Sequence, residues 1–375
     1  MLAILTGTLI LLLTLVDCFE AVVLPRRVTR GWRPTRLFYR TTWRLWRGMA
    51  GLFPSPRYRE NALSLFGPLS LLCLFVCWAV SMIFGFALIH WGGQTLSEAS
   101  PVTLADCLYN SGETFFTLGY GDITPKTKPG KLLAVIEAGT GFGFMAIVIG
   151  YLPVFYQTFS RRELSIGLLD ARAGSPPTAA ELLRRCGSVD QCREIEQFLA
   201  EWEIWAAELL ESHLSYPLLG FYRSQHGNQS WLAALAMILD TTAILLVSGN
   251  EQLRHRAELT FAMARHACVD LCLIFRLPPS NPAEERLTPS EVSSVFAVAS
   301  IPQPMLAQSA AKLSELRVLY EPFLQAVADY FCLRLPRFVP DSSKPDNWQT
   351  SAWTKRAPGI TELPAPVPAT GQHFG

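Results

Sequence analysis

Thr117-Leu118-Gly119-Tyr120-Gly121-Asp122 is the stretch on which the reading of this 375-residue chain turns. Two glycines alternate with two large side chains, a pattern of little use to a regular helix or strand. Just upstream, Thr103 and Asp106 precede Cys107, Leu108, Tyr109, Glu113 and Phe115. That spacing predicts a short helix with Thr103 as its cap and Asp106 at its third position, running into the glycine-bearing turn.

Long apolar segments flank this loop. No Asp, Glu, Lys or Arg falls between Glu60 and Glu98, and Ala62 to Ile89 is long enough to cross a bilayer. Leu132 to Ser160 carries one acid, Glu137, and ends at Arg161-Arg162, so it also reads as a span. Met1 to Leu24 is apolar through Val16 and then carries Asp17 and Glu20. It reads as a third span, with a signal peptide as the rival; a basic leading region and a small-residue cleavage site are both missing. Half of all residues are hydrophobic and 17% are charged, an apolar excess that polar surface would struggle to cover. Irregular backbone at membrane depth survives only inside protein or beside a water-filled path, so a helix followed by Gly-Tyr-Gly between two spans implies a pore.

Charge asymmetry gives an orientation. Ten arginines lie between Arg26 and Arg59, and Arg161-Arg162 follow the last apolar segment. Both flanks are therefore expected in the cytoplasm, with the loop at 91–130 and the amino terminus outside. The net charge of +1 offers no general attraction to nucleic acid. In the connector, Arg33, Arg36, Arg40, Arg44 and Arg47 share one helical face, while Phe38, Leu45, Trp46, Met49, Leu52 and Phe53 share the other. This is the pattern of a helix on the inner membrane surface, touching anionic lipid. A voltage sensor also spaces arginines this way, but here they lie outside any apolar span, Pro34 interrupts the start, and no acidic partner helices precede them. The nine cysteines are scattered and read as free thiols; Cys268 and Cys272 are spaced for one helix face, but a metal site would need a second such pair.

The chemistry of the loop follows from desolvation. A potassium ion leaving water needs replacement oxygens, and a run of carbonyls aimed at one axis supplies them without fixed charge. Pointing successive carbonyls the same way requires backbone that side chains resist, hence Gly119 and Gly121. Leu118 and Tyr120 would turn back into the packing of the short helix. Outer helix, pore helix, Thr-x-Gly-Tyr-Gly-Asp and inner helix together resemble the pore domain of potassium channels over about residues 62 to 160. The resemblance implies that Thr117, Leu118, Gly119 and Tyr120 contribute the oxygens that coordinate K+, with Gly121 closing the filter. It implies that Glu113 bonds to Asp122 behind it, and that Gly141 stands where the gating-hinge glycine sits. Leu118 departs from the more frequent Val or Ile, which alters packing and leaves its carbonyl unchanged. One chain supplies one filter strand, so a closed ring calls for a homotetramer. No cofactor other than the permeant K+ and no enzymatic activity are expected.

In the inner segment Gly139, Gly141 and Gly143 permit either bending or close packing, and Pro153 can kink the helix. Phe144, Ile147, Val148 and Tyr151 could line a cavity or form a gate. Glu137 fits either a hydrogen bond to a pore helix or a role in permeation.

Beyond residue 160 the composition is that of a soluble helical domain. Thr178 with Glu181 and Thr288 with Glu291 read as capping boxes. Ile195, Phe198, Leu199, Trp202, Trp205, Leu209 and Leu210 recur at helical spacing. Residues 173–177 and 277–282 read as loops. Trp231 to Val247, which contains Asp240, is favoured as a buried core helix over a fourth span. His213, His226 and Asp240 could converge, although a lone histidine is more often structural. A nucleotide-binding fingerprint is absent, so the regulatory ligand is not legible.

The expected organisation is an all-α membrane protein: a transmembrane segment at 1–24, a basic interfacial connector at 25–60, a tetrameric potassium-channel pore fold at 61–160, an all-helical cytoplasmic domain at 161–335 and a disordered tail at 336–375. A multi-pass place in the cell membrane follows. Two other readings stand beside potassium conduction: a scaffold subunit with a vestigial pore, against which the intact filter sequence counts, and a nonselective cation channel, which Tyr120 disfavours.

Overall fold

The computed structural model describes residues 1–24, 33–97, 101–186, 192–224, 228–282 and 284–340. The helices are α1 (Leu2–Cys18), α2 (Pro34–Ala50), α3 (Pro56–Gly93), α4 (Leu104–Phe115), α5 (Lys128–Ala173), α6 (Ala179–Arg185), α7 (Cys192–Ser215), α8 (Trp231–Val247), α9 (Glu251–Phe275), α10 (Pro289–Val298), α11 (Leu306–Val318) and α12 (Glu321–Phe331). Among the described residues there is no strand. Three helical stretches are long and apolar enough to cross a membrane: Leu2–Val23, Pro56–Gly93 and Lys128–Ala173. The chain is an all-α membrane protein, and its contacts divide it into two units at Gln157 and Thr158.

In the first unit, α1 lies against α3 through glycines. A Cβ on Gly7 would stand 2.5 Å from the carbonyl oxygen of Gly85, and one on Gly92 would stand 2.9 Å from the Ile4 side chain. Only small residues let two helix backbones come this close. The acid that broke the apolar run of α1 has a structural use. Asp17 is fully buried, accepts the indole N–H of Trp78 at 3.0 Å, and accepts both the backbone N–H and the hydroxyl of Thr35. Thr35 lies in the first turn of α2, where unpaired N–H groups and the helix dipole favour a carboxylate. One side chain thus joins α1, α2 and α3.

Pro34 does not interrupt α2; it occupies the first turn, where its missing N–H costs nothing. Trp43, almost fully buried, meets Phe66 edge-on at 4.8 Å, and the Trp46 indole N–H donates to the Ala62 carbonyl at 2.8 Å. Arg40, Arg44 and Arg47 are exposed, as are Leu45, Met49, Leu52 and Phe53. Arg33, expected on the arginine face, stands just before α2 in extended backbone and pairs with Glu20 at 3.3 Å in a part-buried position.

The second unit is built around α8, whose residues are buried almost end to end beneath α6, α9, α11 and α12. It is a core helix, as favoured. Asp240 is fully buried and meets Arg286, with the Tyr320 hydroxyl donating to it at 2.8 Å. The expected tail begins too early: Phe338 is fully buried, its carbonyl accepts from Ala180 N–H at 3.0 Å, and Arg286 donates to the Pro336 carbonyl at 2.8 Å. These contacts hold the chain to the unit through residue 338; residues 341–375 lie outside the described residues. His213 and Asp240 do not converge. His213 bonds to the Leu209 carbonyl at 2.7 Å and packs on Trp231, sharing no partner with Asp240, and His226 lies outside the described residues. Cys268 and Cys272 are buried in α9, where the Cys272 thiol donates to the Phe323 carbonyl.

Candidate functional site

Helix α4 starts with the expected reciprocal cap. The Asp106 N–H donates to Thr103 Oγ1 at 3.2 Å, and the Thr103 N–H donates to Asp106 Oδ2 at 3.3 Å. Cys107, Asn110, Ser111, Glu113 and Phe115 face inward. At the other end the Thr117 N–H reaches the Thr114 carbonyl at 3.1 Å and the Leu118 N–H reaches the Glu113 carbonyl at 2.8 Å, and the chain then leaves the helix.

The next five residues have a regular backbone alternation. Thr117, Gly119 and Gly121 take positive φ values of 56°, 66° and 77°, whereas Leu118 and Tyr120 do not. In a strand, consecutive carbonyls point to opposite sides; alternating the hand of the backbone turns them toward the same side. Glycine adopts the left-handed region freely, but for Thr117 it costs about 1–2 kcal/mol. A strained residue beside two glycines in this register is what a file of parallel carbonyls demands.

Behind this strand Glu113 faces the backbone N–H of Gly121 and the side chain of Asp122. Tyr109 also reaches Asp122. Asp122 in turn accepts the Ile123 N–H at 3.0 Å. Glu113 and Asp122 are thus brought together. Tyr109 was named in the sequence only as part of the helix; its signal was its place one turn before Glu113 on the same face.

Helix α5 runs unbroken through Gly139, Gly141, Gly143 and Pro153. Gly141 is the point of closest approach to α4: a Cβ there would stand 1.9 Å from the Phe115 carbonyl oxygen, while Gly139 and Gly143 have no neighbour within 4 Å. The space at Gly141 is therefore used for packing. Phe144 lies on Phe115 at 5.9 Å between ring centres and Tyr151 lies on Phe75 at 6.1 Å, so both are turned toward their own chain. The open stripe of α5 runs instead through Val135, Gly139, Phe142, Met145 and Ile149. Periodicity alone could not choose between these faces. Leu118 and Tyr120 are 55% and 70% exposed in the single chain, so their expected packing against the short helix is not made within one subunit.

A short capped helix, a loop of alternating backbone hand and a second long apolar helix are the parts of an ion-channel domain. Residues 70–158 match the family described as "Ion channel". The chain is 25% identical over 218 residues to the uncharacterized membrane protein YdjJ of Bacillus subtilis, covering 56% of this chain and 60% of that protein. It is 33% identical over 90 residues to protein LctB of Bacillus caldotenax, covering 21% of this chain and 66% of that one. It is 38% identical over 82 residues to two pore potassium channel c of Oryza sativa subsp. japonica, covering 22% of this chain and 18% of that one. The chain spans less than two thirds of the length of each of these relatives. No solved structure matches it significantly. Residues 70–158 form an ion-channel domain, and together with the match to the rice channel this supports a pore domain of the potassium-channel type.

Proposed function

We propose that four copies of this chain form a potassium-selective channel, in which the carbonyls of Thr117, Leu118, Gly119 and Tyr120, with the Thr117 hydroxyl, replace the water around K+. The observation that carries this reading is the alternation of backbone hand at Thr117, Gly119 and Gly121. Without it a Gly-Tyr-Gly triplet is one more turn; with it, one chain offers a quarter of a carbonyl cage. Two further observations support assembly. Leu118 and Tyr120 are apolar side chains on an exposed loop, and the α5 stripe containing Phe142, Met145 and Ile149 has no cover within the unit. Neighbouring copies around a cyclic axis would bury both. The relative from rice is named as a potassium channel, which agrees in kind.

In this reading the side of the membrane that holds the arginines of α2 is cytoplasmic. Arg40, Arg44 and Arg47 then lie against anionic headgroups while Leu45, Met49 and Leu52 enter the acyl boundary. Gly139, Gly143 and Pro153, which have room around them or break the hydrogen-bond ladder, are left as the places where α5 would bend in gating.

The test is cation flux into liposomes containing the purified protein, with equal and opposite gradients of K+ and Na+ in parallel preparations. Flux of K+ with little Na+ is expected. Equal flux of the two would replace this reading by a nonselective cation channel, and no flux of either would favour a scaffold role.

A further inference from the structure

Two polar side chains meet in the apolar interior of the first unit. His90, on the last turns of α3, and Glu137, on α5, are both completely buried, and His90 Nε2 lies 3.4 Å from Glu137 Oε2. That is an ion-pair contact longer than an ordinary hydrogen bond. The other imidazole nitrogen, Nδ1, is bonded closely to the Thr95 hydroxyl. Thr95 is itself a junction, because its carbonyl accepts from Lys126 N–H at 3.0 Å and Thr127 N–H at 3.3 Å in the segment that follows the filter. On the other side, Ser111 of α4 sits beside the Glu137 carboxylate without closing a hydrogen bond to it.

Chain geometry gives this cluster leverage. Ser111 and Phe115 are one turn apart on α4, and Glu137 and Gly141 are one turn apart on α5. Glu137 meets the first of the α4 residues and Gly141 the second, so the two helices are in register over two turns immediately before Thr117. Whatever moves Glu137 moves the end of α4, and with it the start of the strand of alternating hand. Next to Ser111 in the sequence, the Asn110 amide is fully buried with no hydrogen-bond partner among the described residues.

The charged and titratable groups facing this cluster are few. On α3 it is His90, on α5 it is Glu137, α4 contributes the neutral Ser111 with the buried thiol of Cys107 one turn before it, and Ala3 and Ile4, by which α1 meets this end of α3, carry no charge. Glu113 on α4 is committed to Gly121 and Asp122. Adding a proton to an imidazole and a carboxyl buried against each other changes the charge the pair holds in surroundings that, among the described residues, offer it no further charged partner. The contact would then loosen or reorganise. Histidine changes charge within the physiological range more readily than any other side chain.

We propose that His90 and Glu137 form a proton-operated clasp that holds the pore helix in place, so that acidification on the side of the 91–130 loop changes conduction. The proposal rests on the channel reading above. The clasp residues are positioning residues, acting on permeation through α4 and Thr95.

The experiment is cation flux from liposomes containing the full chain, with pH varied on each side in turn between about 5 and 8, for the wild type, His90→Gln and Glu137→Gln. Wild-type flux is expected to change about tenfold or more across that range from one side only, and both variants to lose the dependence while keeping the wild-type ratio of K+ to Na+ flux. A flat wild-type profile, or variants that keep the wild-type profile, would overturn the proposal. If a variant does not assemble, infrared difference spectra of the wild-type protein decide: a buried carboxyl band that appears or shifts over the same pH range supports the clasp, and an unchanged spectrum overturns it. Selectivity and pH dependence are read separately, so a channel passing Na+ as readily as K+ would refute the potassium reading while leaving the clasp testable.

Discussion

At the scale of single residues, the proposed ion path is made of backbone, and side chains hold that backbone in place. The alternating glycines were legible because glycine is the residue that takes positive φ without strain, and Gly119 and Gly121 both do. The positive φ of Thr117 was not legible, since threonine resists that conformation. Substituting Gly119 by Ala forces a side chain into left-handed backbone at about 1–2 kcal/mol per subunit. The K+ to Na+ flux ratio should fall by at least about tenfold if that strain is relieved by turning one carbonyl away; an unchanged ratio would mean the carbonyl of this residue does not face the ion. The three glycines of α5 looked equivalent in the sequence, and the structure separates them. Gly141→Ala places a methyl on the Phe115 carbonyl, an overpacking cost of about 1–3 kcal/mol or more. Gly139→Ala meets no atom of its own chain and removes a helix-interior glycine, so it should leave the stability of the chain no lower than wild type. Thermal unfolding of the two purified variants in detergent checks this, and equal midpoints would contradict the packing role.

Among the elements, apolar length revealed the three spanning helices and capping chemistry revealed α4, because both depend on neighbours in sequence. Contacts between distant segments were hidden. Asp17 weakened the case for α1 as a span, yet it is the residue that joins α1 to α2 and α3 through Thr35 and Trp78. Likewise Trp43 and Trp46 pin α2 to α3, which hydrophobic periodicity could suggest but not assign. Asp17→Ala removes charge-assisted bonds and leaves the Trp78 indole and the first turn of α2 unpaired, at about 2–4 kcal/mol. Its thermal midpoint should fall clearly below wild type, while Asp17→Asn, which keeps an acceptor, should lose less. Equal loss for the two would show that charge, and not hydrogen bonding, matters here.

For the molecule as a whole, the second unit brings its own dependence on pH. His213 is fully buried, and burial, with Arg162 nearby, pushes its imidazole down to about 3 from an ordinary value of 6.5. The unfolded chain therefore binds a proton first as pH falls. The stability that neutral His213 contributes is complete above about pH 6.5 and is lost as the pH falls toward 3. Asp240 works in the opposite sense, since burial lifts its carboxyl up to about 6 against the pull of Arg286. Comparing wild type with His213→Gln isolates the histidine: the difference in unfolding free energy should narrow steadily below pH 6.5, and a constant difference would contradict the assignment. Helical periodicity exposed the core of this unit, whereas the reach of Arg286 to Pro336 across 50 residues was beyond any local pattern.

The central claim is that carbonyls from four copies of residues 117–120 surround the ion on one axis. The most direct measurement is the anomalous scattering of crystals of the assembled protein soaked in thallium, a potassium mimic. Peaks spaced along a fourfold axis, each ringed by backbone oxygens of Thr117 to Tyr120 from four subunits, are predicted. An assembly without that axis, or thallium bound elsewhere with the strand empty, would contradict it.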